Sequence, residues 1–383
     1  MENPTVQDIF HSFYLKYLDR YTPSAEQAKV SHCIMNCKTG AYGANVSVCE
    51  DCGHLQIHYN SCRNRCCPMC QALPTEKWMD AQREDVLEAP YFHVVFTVPQ
   101  ELNPLIYCNQ KLLYDALYHS VSSTINELAE DEKYLGAKVG YICILHTWGS
   151  EMNFHPHIHV ILLGGGLTAK NQWRDKGEEF FFPVKVLSKL FRGKYLDELK
   201  TLWKNKKLQF HGSSEKYRNH YAFKELINIC YEKDWIPHCK KAFNGAQSVI
   251  HYLGKYIHRI AISNRRIIRM DENTVTYYVK DYREAGKWKA LTIPGVEFIR
   301  RFLMHVPPKR FVRIRHYGLL CTRSKTKHLT LCRNLLGCRQ YLSRLKNMET
   351  AQILETLYGI KVSVCKCCGG HLGKPQQRIP LRI

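Results

Sequence analysis

VGYICILHTWGSEMNFHPHIHVILL, residues 139–163, reads as two strands and the turn between them. Val139 to Trp148 is one apolar run, Gly149-Ser150-Glu151-Met152-Asn153 carries the turn formers, and Pro156 to Leu163 is a second apolar run that Gly164-Gly165-Gly166 closes. The spacing predicts an antiparallel hairpin. A strand alternates its side chains between faces, so His155, His157 and His159 share one face. If the turn centres near Glu151 and Met152, His146 falls opposite His157 on the partner strand. Three imidazoles on one strand face with a fourth across the ladder point to a metal site.

The neighbouring sequence extends this hairpin into a sheet. Phe92, Val94, Phe96 and Val98 alternate before Pro99 ends their strand, and a helix covers about 110–129. Beyond the glycines come a mixed insertion from 167 to about 230, a strand near 234–240, a helix over about 245–258 and the strand Thr274 to Val279. Helices and strands that do not strictly alternate imply an α+β fold with an antiparallel sheet. At the start of the chain, Ile9, Phe10, Phe13, Tyr14, Tyr17 and Leu18 mark residues 1–30 as an amphipathic packing helix.

The chain has 18 cysteines in 383 residues, and eight of them fall between Cys33 and Cys70. The first residues carry no export signal, so metal thiolates explain the cluster better than disulfides. Cys49-Glu-Asp-Cys52 and Cys67-Pro-Met-Cys70 are two knuckles, each able to bring two thiolates to one ion, and together they suit a tetrahedral zinc site in a module spanning 31–75. Cys37, Cys62 and Cys66, with Cys33, His54 and His58, remain for a second zinc. Cys365-Lys-Cys367-Cys368-Gly-Gly-His371 looks like half of a further knuckle without an obvious partner.

The formal net charge is +21, and residues 298–348 hold 13 Lys and Arg without one Asp or Glu. Phe302, Phe311, Tyr317 and Tyr341 interleave with those cations. Such a block fits a DNA surface, and a basic DNA-binding region is expected over 283–383. No apolar run approaches the roughly 20 residues of a membrane span, which points away from an integral membrane protein and towards the cytosol. No phosphate-binding Gly-rich loop with Lys-Ser/Thr is present, so nothing indicates ATP hydrolysis.

Between Gly245 and His258, Ala246, Val249, Ile250, Leu253 and Ile257 make an apolar stripe, while Ser248, Tyr252, Lys255 and Arg259 point elsewhere. A phenol beside two cations is a suitable nucleophile for a phosphate, because the cations favour the phenolate and the anionic transition state. Tyr256 borders the stripe.

Taken together, the cysteine module, the His-hydrophobic-His strand and the tyrosine helix resemble the rolling-circle transposases of bacterial insertion sequences. These are relatives of Helitron transposases and plasmid replication initiators. The resemblance rests on Tyr59-Asn-Ser-Cys62-Arg-Asn-Arg-Cys66-Cys67-Pro-Met-Cys70-Gln, Tyr91-Phe-His-Val-Val-Phe-Thr-Val-Pro, Leu145-His-Thr-Trp-Gly with His155-Pro-His-Ile-His, and Tyr252-Leu-Gly-Lys-Tyr256-Ile-His-Arg. Glu297-Phe-Ile-Arg-Arg-Phe and Arg313-Ile-Arg-His-Tyr-Gly also match. Where the family usually has His-Cys-Pro, this chain has Cys66-Cys67-Pro, which leaves open which of the two cysteines binds zinc.

The resemblance implies a ferredoxin-like endonuclease core over 88–282 in which His157 and His159 hold Mg²⁺ or Mn²⁺. His146 or His155 would complete the set, with Gln247 and His251 as further candidates. Tyr252 and Tyr256, helped by Lys255, would cut single-stranded DNA at the ends of a mobile element through a 5′-phosphotyrosine. Arg259, Arg300, Arg301, Lys309, Arg310, Arg313 and Arg315 would hold the strand, on the nucleoid of a bacterial cytoplasm. The competing reading is a non-catalytic zinc-ribbon DNA-binding regulator. The sequence leaves the oligomeric state open.

Overall fold

A computed structural model describes residues 3–177, 179–180, 182–242, 254, 260–281, 284 and 286–378. It begins with helices α1 (Val6–Leu18) and α2 (Ala25–Met35), strands β1 (Ala44–Val48) and β2 (Leu55–Tyr59), helix α3 (Ala72–Arg83) and strand β3 (Tyr91–Thr97). Helices α4 (Asn103–Cys108) and α5 (Gln110–Glu130) lead to strands β4 (Lys138–Trp148), β5 (Phe154–Leu167) and β6 (Trp173–Asp175). Helices α6 (Val184–Lys204) and α7 (His220–Glu232) precede β7 (His238–Ala242), and β8 (Ile267–Met270), β9 (Thr274–Asp281) and β10 (Lys287–Pro294) follow. The chain closes with α8 (Gly295–Met304), β11 (Ile314–Gly318), α9 (Lys325–Leu336), α10 (Thr350–Tyr358) and β12 (Gln376–Arg378).

The largest sheet has the order β11-β4-β5-β3-β7, with β6 added to β5, and every pairing is antiparallel. The fold is mixed α+β, as expected. Alternation sets its two faces. Phe92, Val94, Phe96, Tyr141, Cys143, Leu145, Ile158, Val160 and Leu162 are buried in one core with Leu117, Val121 and Ile125 of α5 and Leu187, Phe191 and Leu196 of α6. Each such side chain contributes about 1.5–3 kcal/mol by leaving water, before the cost of ordering it. The residues between them, among them His93, His146, His157 and His159, therefore take the other face. The far end of that second face is apolar: Ile142, Ile144, Ile161 and Leu163 are covered by Leu329 and Cys332 of α9.

The glycine run does not end the second strand. β5 continues to Leu167, pairing with β4 on one side and β6 on the other. A Cβ on Gly164 would lie 2.8 Å from the Pro90 carbonyl, and one on Gly165 or Gly166 would collide with Trp173 or with the Lys138 carbonyl. The glycines let neighbouring backbones close in rather than turn the chain.

A second core joins α1 to α8 and to the three-stranded sheet β10-β9-β8, through Phe10, Phe13, Val275, Tyr277, Phe298 and Phe302. The tip of the β4–β5 hairpin is fastened into it. Met152 lies there fully buried with a left-handed φ of 58°, a conformation a non-glycine residue adopts at a cost. Arg301 Nη1 and the Tyr277 hydroxyl both donate to the Glu151 carbonyl, at 3.0 and 3.2 Å. His305 Nε2 donates to the Met152 carbonyl at 3.0 Å. The turn that sets the histidine register is thus held from outside the sheet.

Residues from the expected C-terminal region take part in these layers. β11 completes the large sheet beside β4, and β12 pairs with β1 in a small third sheet ordered β12-β1-β2. A boundary at 282 therefore does not separate one sheet from another. Among the described residues, no helix is long and apolar enough to cross a membrane.

Candidate metal centres and nucleic-acid site

His146 and His157 are directly paired across β4 and β5, and His159 follows two residues along. One ligand nitrogen from each of the three lies within 4.8 Å of the others. His157 Nδ1 donates to the His155 carbonyl at 2.7 Å, which leaves Nε2 with its lone pair. That nitrogen meets His159 Nε2 at 3.0 Å, a separation that suits one shared proton or one shared ion. Burial pushes the proton affinity of all three down, that of His157 to about 3, so the rings are neutral and able to ligate at neutral pH. Such a donor set fits a divalent ion; by its chemistry alone, imidazole suits zinc as well as the Mg²⁺ or Mn²⁺ that the resemblance implies. His155 contributes its carbonyl to this arrangement and stays outside the group of three.

His93 was not among the expected site residues. Its Nε2 lies 2.8 Å from His159 Nδ1, on the same sheet face, where it fixes the orientation of the His159 ring. The signal was available in the alternation, because His93 occupies the face of β3 that Phe92, Val94 and Phe96 do not.

The cysteines group differently from the expected pairing of knuckles. Cys67 and Cys70 join Cys37 and Cys62, whereas Cys49 and Cys52 join Cys365 and Cys368. Cys49, Cys52, Cys67 and Cys70 thus do not form one site. In the first group Cys62 and Cys70 Sγ are 3.8 Å apart, and thiols of Cys62 and Cys67 donating to Cys70 pull its proton affinity down. A zinc ion is what such a soft tetrad suits. Cys66 is not a member: it lies buried in the second core, where desolvation raises its pKa. Cys33 accepts a hydrogen bond from the Tyr42 hydroxyl at 3.5 Å, and His58 lies 2.7 Å from Gln56 Nε2. Among the described residues, Cys33, His54 and His58 join neither tetrad.

Two family models match the chain: one described as "Putative transposase" over residues 140–328, and one described as "Transposase zinc-binding domain" over residues 9–98. The protein named "Putative transposase y4qJ" of Sinorhizobium fredii (strain NBRC 101917 / NGR234) is 40% identical over 336 residues, covering 87% of this chain and 84% of that one. The chain belongs to this transposase family. The transposase for insertion sequence element IS801 of Pseudomonas savastanoi pv. phaseolicola is 28% identical over 298 residues, 76% of this chain and 69% of that one. Both relatives are transposases by name, and the second is that of an insertion sequence, in keeping with the rolling-circle insertion-sequence type that the motifs resemble. A conjugative relaxase TrwC structure, in complex with oriT DNA and metal-bound, aligns over 52% of this chain and 69% of its own at 14% identity, with a TM-score of 0.25, too slight a likeness to bear on the fold.

The transposase's basic block is only partly a free surface. Arg300 and Arg301 both bond Glu297, at 2.6 and 2.7 Å, and Arg301 also holds the hairpin turn. Arg315 pairs with Asp115 and lies 4.0 Å over the Tyr118 ring. Arg313 is buried enough for desolvation to lower its proton affinity. These four are taken up by ion pairs, a ring contact and burial rather than left free, a placement that composition does not reveal. Lys309 and Arg310, in the turn between α8 and β11, are exposed. Tyr252, Lys255, Tyr256 and Arg259, together with Gln247 and His251, lie outside the described residues.

Proposed function

We propose that the protein nicks and rejoins single-stranded DNA during rolling-circle transposition, with a tyrosine as nucleophile. The observation that carries this reading is the convergence of three neutral imidazoles, the buried His146 and His157 and the half-buried His159, on one point of an antiparallel sheet. A divalent ion held there, Mg²⁺ or Mn²⁺ by the resemblance, would polarise the scissile phosphate. His93 would hold His159 in the ligating orientation, and His155 would do the same for His157 through its carbonyl.

Tyr252 attacks the phosphorus. The bond to the 3′ oxygen breaks, the phenolic proton ends on that oxygen, and the 5′ end stays on the enzyme as a phosphotyrosine. A phenol with a pKa of about 10 needs help at neutral pH, which Lys255 supplies as a neighbouring cation. Tyr256 or the released 3′-hydroxyl reverses the step, and the covalent bond conserves the energy that joining requires. Lys309, Arg310 and Arg259 contact the strand. Cys37, Cys62, Cys67 and Cys70 hold a structural zinc that stabilises the N-terminal module.

The test incubates the protein with labelled single-stranded oligonucleotides from its own flanking DNA and Mg²⁺ or Mn²⁺. A covalent protein–DNA adduct is expected. Cleavage without an adduct would replace this reading with metal-dependent hydrolysis, and binding without cleavage would leave a DNA-binding regulator.

A further inference from the structure

Two segments from opposite ends of the chain are conformational twins. In Cys49–His54, the Cys49 N–H donates to the carbonyl five residues on, that of His54, at 2.9 Å. The Gly53 N–H donates back to Cys49 at 3.0 Å, and Gly53 has a left-handed φ of 70°. In Cys365–Gly370, the Cys365 N–H donates to the Gly370 carbonyl at 2.8 Å, the Gly369 N–H donates back to Cys365 at 3.0 Å, and Gly369 has φ 78°. Both are Cys-x-x-Cys-Gly turns in which the glycine supplies a conformation other residues rarely take. Backbone N–H groups of Cys367 and Gly370 point at Cys365 and Cys368 Sγ, each at 3.4 Å.

The two turns face each other. Cys49 and Cys368 Sγ are 3.5 Å apart, and Cys52 and Cys365 Sγ 3.9 Å. A disulfide needs about 2.05 Å. Four thiolates at the roughly 2.3 Å zinc–sulfur distance stand about 3.8 Å apart on a tetrahedron. The flanking backbone fits the same arrangement: β1 pairs with β12, Glu50 N–H donates to the His371 carbonyl at 3.0 Å, and Gly373 N–H donates to Val48 at 2.9 Å. A Cβ on Gly370 would collide with the Asp51 carboxylate.

We infer that Cys49, Cys52, Cys365 and Cys368 form a second zinc site, a ribbon built from the two ends of the chain, which clasps the C-terminal tail to the N-terminal module. The zinc-binding family model ends at residue 98 and leaves two of these ligands out. The site does not depend on the nuclease reading, since its zinc is counted without DNA.

The test loads the full chain with Co²⁺, under reducing conditions, and reads the thiolate-to-cobalt charge-transfer absorption, which an all-imidazole site lacks. Cys365→Ser/Cys368→Ser should lose at least half of the absorption and release the tail to trypsin at Lys361 or Lys366. Cys62→Ser/Cys70→Ser should keep the ribbon's share. Cys368→His, which preserves a ligand, should bind Co²⁺ and keep the tail protected, and this separates loss of a ligand from general misfolding. Unchanged absorption in Cys365→Ser/Cys368→Ser would overturn the site. So would a parent protein whose four thiols resist alkylation after denaturation, because the sulfurs would then be oxidised and not free to ligate.

Discussion

His93 and His159 face each other in parallel, their rings within 2° of a common orientation and Nε2 of one 2.8 Å from Nδ1 of the other. In the metal site proposed above, this arrangement would make His93 a positioning residue for His159 rather than a ligand. His93→Phe should raise the Mn²⁺ concentration needed for half-maximal nicking about 10–100-fold, with most of the rate recovered at saturating metal. His93→Gln, which keeps a hydrogen-bonding group, should fall between. A loss of rate that metal does not restore would contradict the positioning role.

His157→Ala and His159→Ala should each abolish nicking and leave DNA affinity within a few-fold of the parent, because exposed cations on the phosphates supply that affinity. Gel shift and cleavage measured on one preparation check both halves. Parent-level cutting by either variant would place the metal elsewhere.

For the two tyrosines, the expectation is asymmetric. Tyr252→Phe should eliminate the covalent adduct, and Tyr256→Phe should retain it while complete strand transfer is lost. Peptide mass mapping of the adduct decides, and an adduct mapping to Tyr256 in Tyr252→Phe would reverse the roles.

The pH dependence of stability has an identifiable source in His305. Burial pushes its pKa down to about 4, below the unfolded value near 6.5. Nε2 donates to the Met152 carbonyl, so Nδ1 accepts from Thr147 Oγ1 at 3.1 Å and loses that bond on protonation. Between those two pKa values the unfolded chain binds the extra proton. The contribution is therefore complete above about pH 6.5 and is lost as pH falls towards 4, by up to about 1.4 kcal/mol per pH unit. Urea unfolding at pH 7 and pH 5 should show a shallower fall for His305→Gln than for the parent, although the variant starts less stable. Equal slopes would mean that His305 contributes nothing to the fall, which other histidines lowered by burial, among them His93, His146, His157 and His159, then carry.

Cations inside the fold and cations on its surface should separate cleanly. Arg315→Ala breaks the pairing with Asp115 and uncovers Tyr118, so it should cost about 1–3 kcal/mol of stability. Lys309→Ala/Arg310→Ala should leave stability unchanged and make the salt dependence of single-strand binding shallower, by about 0.7 for each phosphate that the variant no longer neutralises. Thermal melts and salt titrations measure the two effects independently.

The sequence carried the sheet and its histidine pairing because both depend on local periodicity. Alternation separates Phe92, Val94 and Phe96 from His93, and His146 stands opposite His157 as a turn near Glu151 and Met152 implies, with an irregularity between His146 and Trp148 making up the one-residue offset from the Trp148–Phe154 pair. What local pattern does not encode is which distant segments meet. Cys52 and Cys365 are 313 residues apart, so each knuckle was visible while its partner was not. The arginines failed for the same reason. A run without carboxylates looks solvated, yet Asp115 and Glu297, outside the run, draw Arg315, Arg300 and Arg301 inward.

The place of β11 at the edge of β4 sets the order of events during synthesis. β4 leaves the ribosome with His146 in place but with its outer edge unpaired, and it waits for Ile314–Gly318 to arrive. At about 5–20 residues per second, the stretch between them takes roughly 8–35 s to translate. The nuclease sheet therefore gains its last strand only after most of the polypeptide has been made, and an interrupted message yields a chain with an open edge rather than a working cutter.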